Sequence, residues 1–128
     1  MKGIICCSPT VVGAVVPIVN LPGLVGQVSF TPGALAGIYL GKIKKWNDPV
    51  LTRANRSLRL PDLDIVVVHR SDGSGTTYAW TDYLSQTSPH WKTEIGARLA
   101  PTWPKRSRSW ADLSAMSSSC IWNCPRIW

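Results

Sequence analysis

One segment in the middle of the chain, IVVVHRSDGSGTT at residues 65–77, limits the fold more than any other feature of the sequence. Its first half is a run of β-branched residues, which is typical of a strand that is covered on both faces. Its second half is rich in glycine, serine and threonine and leads into a predicted helix over residues 76–85. A strand, a tight turn and a helix in direct succession form the unit from which α/β sheets are built.

The rest of the chain continues this alternation. Thr31 followed by Pro32 predicts a helix start, because a hydroxyl caps the first turn and proline fits the first helical position. We predict further elements as follows: a buried, valine-rich strand over residues 10–20, and helices over residues 31–41, 49–58 and 88–95. Helices that alternate with apolar strands predict an α/β fold with a mainly parallel sheet.

The turn between the strand and the helix lies where α/β proteins bind ligands, beyond the carboxyl end of a strand. The first backbone N–H groups of the helix have no internal acceptor, and the helix dipole adds partial positive charge there. Gly73 and Gly75 lack the β-carbons that would keep a ligand away from the backbone. Ser74, Thr76 and Thr77 add hydroxyl donors. These residues predict an anion site suited to phosphate or sulfate.

An arginine at the end of the strand strengthens this prediction. The guanidinium of Arg70 can hold a tetrahedral oxyanion with two parallel hydrogen bonds. Asp72 is unfavourable beside an anion, and we therefore expect it to pair with Arg70 and orient the guanidinium.

Two other chemistries and an ordinary turn are alternatives at this point. A hydrolase would use Ser74 with Asp72 and either His69 or His90, but the serine lacks the GxSxG context. His69 is also expected on the face of the strand opposite Arg70. The Walker phosphate loop requires a lysine that is absent here. A plain Gly/Ser turn with a capped helix remains open on composition alone.

The net charge of +7 invites a nucleic-acid interpretation, but no recognition motif accompanies it, and we expect no nucleic-acid partner. No uninterrupted apolar segment of 18 residues exists, so no membrane insertion is expected, and no export signal is visible. The four cysteines, Cys6, Cys7, Cys120 and Cys124, lack the spacing of a zinc or redox site. We expect no cofactor and no metal.

The residues also resemble a known family, the phosphate-binding proteins of Pst-type phosphate ABC transporters. The resemblance runs in order through residues 8–96 and rests on these segments: NLPGL (20–24), LAGIYLGKIKKWNDP (35–49), LPDLDIVVVHRSDGSGTT (60–77) and TDYLSQTSPHWKTEIG (81–96). It implies a two-lobed periplasmic binding protein that captures inorganic phosphate for the transporter's permease subunits and is not an enzyme.

The resemblance further implies which residues bind the ion. Arg70, Ser74, Gly75 and Thr76 match phosphate ligands of the second lobe, and Asp72 matches the aspartate that braces the arginine.

Departures from the family pattern divide the chain into three parts. Residues 1–27 match a hinge-crossing strand segment, and residues 28–96 match part of the second lobe. Residues 97–128 lack the glycine-rich segment and the strand that the family has there, and we expect a divergent or frame-shifted tail without useful helix or strand periodicity. We therefore expect an internal fragment, in which Trp46, Trp80 and Trp91 lack packing partners. A fragment without any activity is a further alternative.

Overall fold

The computed structural model describes residues 13–105, 107–109, 111 and 126–127. Four strands and four helices are found in this part of the chain. In chain order they are β1 (Val19–Asn20), α1 (Pro32–Tyr39), α2 (Pro49–Ala54), β2 (Val66–His69), α3 (Gly75–Thr87), α4 (Pro89–Glu94), β3 (Ser107–Ser109) and β4 (Arg126–Ile127). The alternation of helices and strands confirms the predicted α/β class.

The sheet has the strand order β1-β4-β2-β3. β2 is an inner strand and pairs in parallel with both β3 and β4, whereas β1 pairs antiparallel with β4. A strand with neighbours on both sides has its backbone groups satisfied along both edges. β4 pairs with Val66 and Val67 only, so the carboxyl end of β2, which leads into the turn, is held by β3.

Three of the four helices begin with a side-chain cap followed by proline. The side chains of Thr31, Asp48 and Ser88 accept the N–H groups of Ala34, Val50 and Trp91, respectively. Each cap satisfies one of the donors that a helix start leaves open. Glycines 41 and 96 follow α1 and α4 with φ values of +71° and +73°, a backbone conformation that ends a helix and favours glycine.

The core is formed between the helices and β2. Trp46, Leu51, Leu84 and Trp91 are completely buried, with 0% exposure. The expectation that Trp46 and Trp91 lack packing partners is therefore wrong. Trp80 is partly buried and packs against the same cluster. The aromatic rings pack against one another and against α1, so that the described residues form a core of their own.

The predicted buried strand over residues 10–20 is wrong for most of its described part. Only Val19 and Asn20 pair with a neighbour as strand, and Val15, Val16 and Ile18 are exposed. A valine-rich composition produces a buried strand only where a partner supplies hydrogen bonds and a covering face. Among the described residues, β4 supplies strand hydrogen bonds at two positions only.

Helix α2 ends at Ala54, four residues before the predicted end at residue 58. The buried Asn55 explains the difference. Its side-chain amide donates to the carbonyls of Leu51 and Ser29 at 2.8 and 2.9 Å, and its Oδ1 accepts the Ser29 N–H at 2.7 Å. These bonds replace the next helical hydrogen bonds and tie the end of α2 to the segment before α1.

The predicted tail, residues 97–128, contributes to the fold where it is described. β3 and β4 lie in it, although no strand of useful length was expected there. Trp103 packs against the core cluster, and β3 pairs with β2 from Val67 to His69. Strands of two and three residues are too short to produce a recognisable sequence period. Pairing with an existing strand, rather than local pattern, accounts for them.

Candidate functional site

The turn from Arg70 to Ser74 joins the carboxyl end of β2 to the first turn of α3. It leaves the sheet at an inner strand, where the chain direction and the start of the helix are both fixed by packed elements. Thr77, in the first turn of α3, and Ser74 are buried, whereas Arg70, Asp72, Gly73, Gly75 and Thr76 are exposed. The turn is thus buried at Ser74, where it enters α3, and exposed to solvent at Arg70, Asp72 and Gly73.

Arg70 and Asp72 form the pair that the sequence predicts. The guanidinium Nε donates to Oδ1 of Asp72 at 3.0 Å, and Nη2 donates to Oδ2 at 2.5 Å. The hydrogen bond from Arg70 lowers the pKa of the Asp72 carboxyl, and the same contact raises the pKa of the Arg70 guanidinium. Both groups therefore stay charged over the physiological range. The carboxylate holds one edge of the guanidinium and leaves the other N–H groups facing outward.

The start of α3 differs from the other helix starts. Ser74 occupies the N-cap position with extended backbone, but its hydroxyl makes no hydrogen bond to the helix. Its own N–H donates to the carbonyl of Leu99 at 3.1 Å, and its carbonyl accepts the Tyr78 N–H at 2.9 Å. By helix geometry, the N–H groups of residues 75–77 have no internal acceptor. The cap hydroxyl and these donors therefore have no acceptor within the helix, and Gly75 and Thr76 are exposed to solvent.

A cavity of about 170 Å³ lies beside this helix start. Its polar lining comes from Arg70, Thr76, Thr77 and His69. Its apolar lining comes from Val15, Val16, Pro17, Tyr39, Val68, Trp80 and Trp103. Arg70 and Thr76 therefore share this cleft with a mainly apolar lining.

The aromatic part of this lining is a packed cluster. Tyr39 packs against Trp80 and Trp103 with ring centroids 5.3 and 6.0 Å apart, and Trp103 stacks on His69 at 4.8 Å. Such offset and tilted contacts fix ring positions as well as burying area. Burial raises the pKa of the Tyr39 phenol, which therefore stays neutral. The aromatic wall is therefore closely packed and carries no negative charge from Tyr39.

The predicted site residues are only partly brought together in the cleft. Arg70 and Thr76 line it, whereas Ser74 and Gly75 lie at the adjoining start of α3 and not among its lining residues. Sequence reasoning gave Thr77 only as one hydroxyl among several and missed Trp103, which reaches the cleft from a segment assigned to the tail. Trp103 is evident in the sequence, but no local pattern indicates that a side chain 30 or more residues after β2 lies at the carboxyl end of that strand.

The residues of the hydrolase alternative do not assemble into a triad. The Asp72 carboxylate is bonded to Arg70, and the His69 ring lies against Trp103 with Nδ1 2.9 Å from the Arg70 carbonyl. His90 is exposed at the start of α4. His69 and Arg70 line the same cleft, contrary to the opposite faces expected of them. β2 ends at His69, so Arg70 lies in the turn, where the alternation of a strand no longer applies.

The described part of the chain contains no group of three or more His, Cys, Asp or Glu side chains that could hold a metal ion. None of its helices combines the length and the apolar character required to cross a membrane. Cys6, Cys7, Cys120 and Cys124 lie outside the described residues.

An α/β layer with donors at the carboxyl end of an inner strand, facing a cleft, is the architecture of a ligand-binding domain. Comparison with known families agrees with this class. The chain matches the PBP superfamily domain over residues 2–119 and belongs to that family.

Several of the similar curated proteins are named phosphate-binding proteins. This chain is 52% identical over 97 residues to phosphate-binding protein PstS of Pasteurella multocida, covering 75% of this chain and 28% of that protein. It is 50% identical over 96 residues to PstS of Haemophilus influenzae, covering 74% and 29%. It is 48% identical over 97 residues to PstS of Xylella fastidiosa strain Temecula1, covering 75% and 27%. The chain thus spans less than a third of the length of these relatives.

Proposed function

We propose that this chain carries the phosphate-binding loop of a phosphate-binding protein, with Arg70, Ser74, Gly75 and Thr76 as ligands and Asp72 as the brace. The observation that carries the proposal is the uncapped start of α3 beside the oriented Arg70 guanidinium. An oxyanion placed there accepts hydrogen bonds from N–H groups that otherwise bond only to water, and it lies at the positive end of the helix dipole. The names of the similar proteins support phosphate as that anion.

The chemistry of this site is capture without reaction. Arg70 supplies charge and directional donors, the Thr76 hydroxyl adds a neutral donor, and the glycines let the anion approach the backbone. Asp72 prevents the guanidinium from rotating away while the site is empty. Each of these contributions stabilises a bound anion, and none of them activates a nucleophile.

For the whole protein we propose the role of substrate-binding component of a phosphate ABC transporter, acting in the periplasm and delivering phosphate to the permease subunits. Residues 28–96 then correspond to part of the second lobe, and residues 1–27 to a segment that crosses the hinge. Residues 97–128 are proposed as a divergent or frame-shifted tail. Sequencing of the source DNA around codons 97–105 tests this last assignment, and the absence of the family's tail from every reading frame contradicts the frameshift.

The test of the function is a phosphate titration of the 128-residue chain, followed by NMR at the Gly73 and Gly75 amides. Arg70→Ala removes a charged hydrogen-bonding partner, and such bonds contribute about 1.5–3 kcal/mol, so phosphate affinity falls roughly tenfold or more. Arg56→Ala is the matched control, because it removes the same charge from an exposed position in the turn after α2. Equal affinities of the wild type and Arg70→Ala contradict the assignment.

A further inference from the structure

His69, the last residue of β2, makes two side-chain contacts to which the proposed function assigns no role. Its ring stacks on Trp103 with centroids 4.8 Å apart and an interplanar angle of 20°, and its Nδ1 lies 2.9 Å from the carbonyl oxygen of Arg70. Arg70 follows directly after the end of the strand, so strand geometry no longer fixes its backbone. The imidazole of the preceding residue contacts that backbone instead.

The contact with the Arg70 carbonyl determines which ring nitrogen of His69 carries a proton. A carbonyl oxygen has no proton and can only accept a hydrogen bond, so Nδ1 has to be the donor. In a neutral imidazole, one nitrogen donates and the other keeps its lone pair. The neutral ring of His69 is therefore held as the tautomer with its proton on Nδ1.

The imidazole is held in turn by the core. Trp103 packs against Tyr39 and Trp91 with ring centroids 6.0 and 6.2 Å apart, and Trp91 is completely buried. Stacking of His69 on Trp103 restricts the rotation of the imidazole, because rotation would break the face-to-face contact. A series of contacts thus runs from the buried aromatic cluster through His69 to the backbone of Arg70.

Arg70 is therefore held at both ends. Asp72 accepts two hydrogen bonds from the guanidinium, and His69 donates one to the main-chain carbonyl. We propose that His69 is a positioning residue for phosphate: its Nδ1–H group fixes the peptide group after Arg70 and thereby the direction in which the Arg70 side chain leaves the turn. A donor that is fixed before the ligand arrives loses less entropy on binding. The inference rests on the proposed function, because the position of Arg70 matters only if Arg70 binds the anion.

Two substitutions separate the Nδ1 donor from the ring. The amide nitrogen of asparagine can take the place of Nδ1, whereas that of glutamine lies closer to the place of Nε2, and neither side chain has a ring. His69→Asn therefore keeps a donor for the Arg70 carbonyl, and His69→Gln does not. His90→Gln is the matched control, because His90 is exposed at the start of α4 and does not line the cleft.

The experiment titrates the full chain and these variants with inorganic phosphate and follows the Gly73 and Gly75 amides by NMR. His69→Gln is expected to weaken phosphate binding about three- to tenfold, the equivalent of one neutral hydrogen bond. His69→Asn is expected to restore the affinity to within about twofold of the wild type, and His90→Gln to leave it unchanged. A merely structural role of the ring would affect His69→Asn and His69→Gln alike, since both lose the contact with Trp103.

A second measurement requires no substitution. Nitrogen-15 NMR of the wild-type imidazole at about pH 9, above the ordinary histidine pKa of about 6.5, shows which ring nitrogen carries the proton. A proton on Nδ1 of His69 is expected. A proton on Nε2, or equal phosphate affinities of His69→Asn and His69→Gln, overturns the inference and leaves the proposed function intact. Failure of phosphate to shift the Gly73 and Gly75 amides of the wild type overturns the proposed function and the inference with it.

Discussion

Arg70 and Asp72 show how much of the site depends on one exposed pair. The two residues are close in sequence, and a carboxylate two positions after an arginine was sufficient to predict their pairing. The structure adds the geometry, in which both carboxylate oxygens are used and one edge of the guanidinium is occupied. The orientation of Arg70 toward the cleft therefore depends on the ionisation of Asp72.

This dependence gives a prediction in acid. The folded-state pKa of Asp72 lies below its ordinary value of about 3.9, chiefly because Arg70 donates to the carboxylate. The pair's contribution to stability is therefore complete above the unfolded-state pKa and is lost as the pH falls through the lower folded-state value. In Arg70→Ala the pKa of Asp72 should rise toward that of an unpaired aspartate. Carbon-13 NMR titration of the Asp72 carboxyl measures both values, and an unchanged pKa in the variant shows that the pair does not persist in solution.

At the scale of secondary structure, we expect the start of α3 to contribute more to anion binding than to the stability of the fold. Thr31 caps α1 through a hydrogen bond to the Ala34 N–H, whereas the Ser74 hydroxyl makes no such bond to α3. Thr31→Ala should therefore lower the free energy of unfolding by about 1 kcal/mol. Ser74→Ala should lower it by less and should weaken phosphate binding. Urea unfolding of both variants measures the change in stability, and phosphate titration measures the change in affinity. A larger loss of stability in Ser74→Ala contradicts an uncapped helix start.

A second element, the segment after α4, holds this helix start in place. The completely buried Thr81 hydroxyl donates to the carbonyl of Arg98 at 2.9 Å and accepts the Arg98 N–H at 2.9 Å. The next residue, Leu99, accepts the Ser74 N–H at 3.1 Å. Residues 98 and 99 thus tie the middle of α3 to its N-cap residue, Ser74.

Thr81→Val tests this connection because it keeps the shape of the side chain and removes the hydroxyl. Two backbone groups of Arg98 lose their partner, which costs about 1–3 kcal/mol. Hydrogen exchange of the Ser74 amide should become faster, because Leu99 is no longer held in position. Thr87→Val is the control, since the Thr87 hydroxyl bonds only within α3. Equal exchange rates at Ser74 in the two variants argue against the connection.

The helices show what local sequence determines and what it does not. Thr31-Pro32, Ser88-Pro89, Gly41 and Gly96 set helix ends by short-range chemistry, and those ends were predicted closely. The early end of α2 depends on Asn55 contacting Ser29, 26 residues away, and no local signal indicates such a contact. The same holds for Trp103 in the cleft and for β3 beside β2. Local chemistry thus predicted the donors of the loop, and tertiary contacts provided the walls of the cleft.

At the scale of the whole molecule, the described residues surround an anion incompletely. Arg70, Thr76 and the start of α3 approach it from one side, and the cleft is open to solvent on another. Hydrogen bonds made in competition with water contribute about 0.5–1.5 kcal/mol each, or up to about 3 with a charged partner. A few such bonds, reduced by the cost of ordering the loop, correspond to roughly millimolar affinity, near −4 kcal/mol.

The same geometry predicts weak discrimination between phosphate and sulfate. The two ions have the same shape, but phosphate carries a proton at neutral pH and sulfate does not. Only an acceptor directed at that proton, such as a carboxylate, favours phosphate and repels the fully ionised ion. None of the described residues that line the cleft carries a carboxylate, and the nearby Asp72 is bonded to Arg70. Phosphate and sulfate should therefore bind this chain with affinities equal within about threefold, since they form the same charged hydrogen bonds. NMR titrations of the Gly73 and Gly75 amides at constant ionic strength, with chloride as the control anion, measure both. Micromolar phosphate binding with sulfate excluded would mean that this chain itself supplies the missing acceptor, and the one-sided site described here would be wrong.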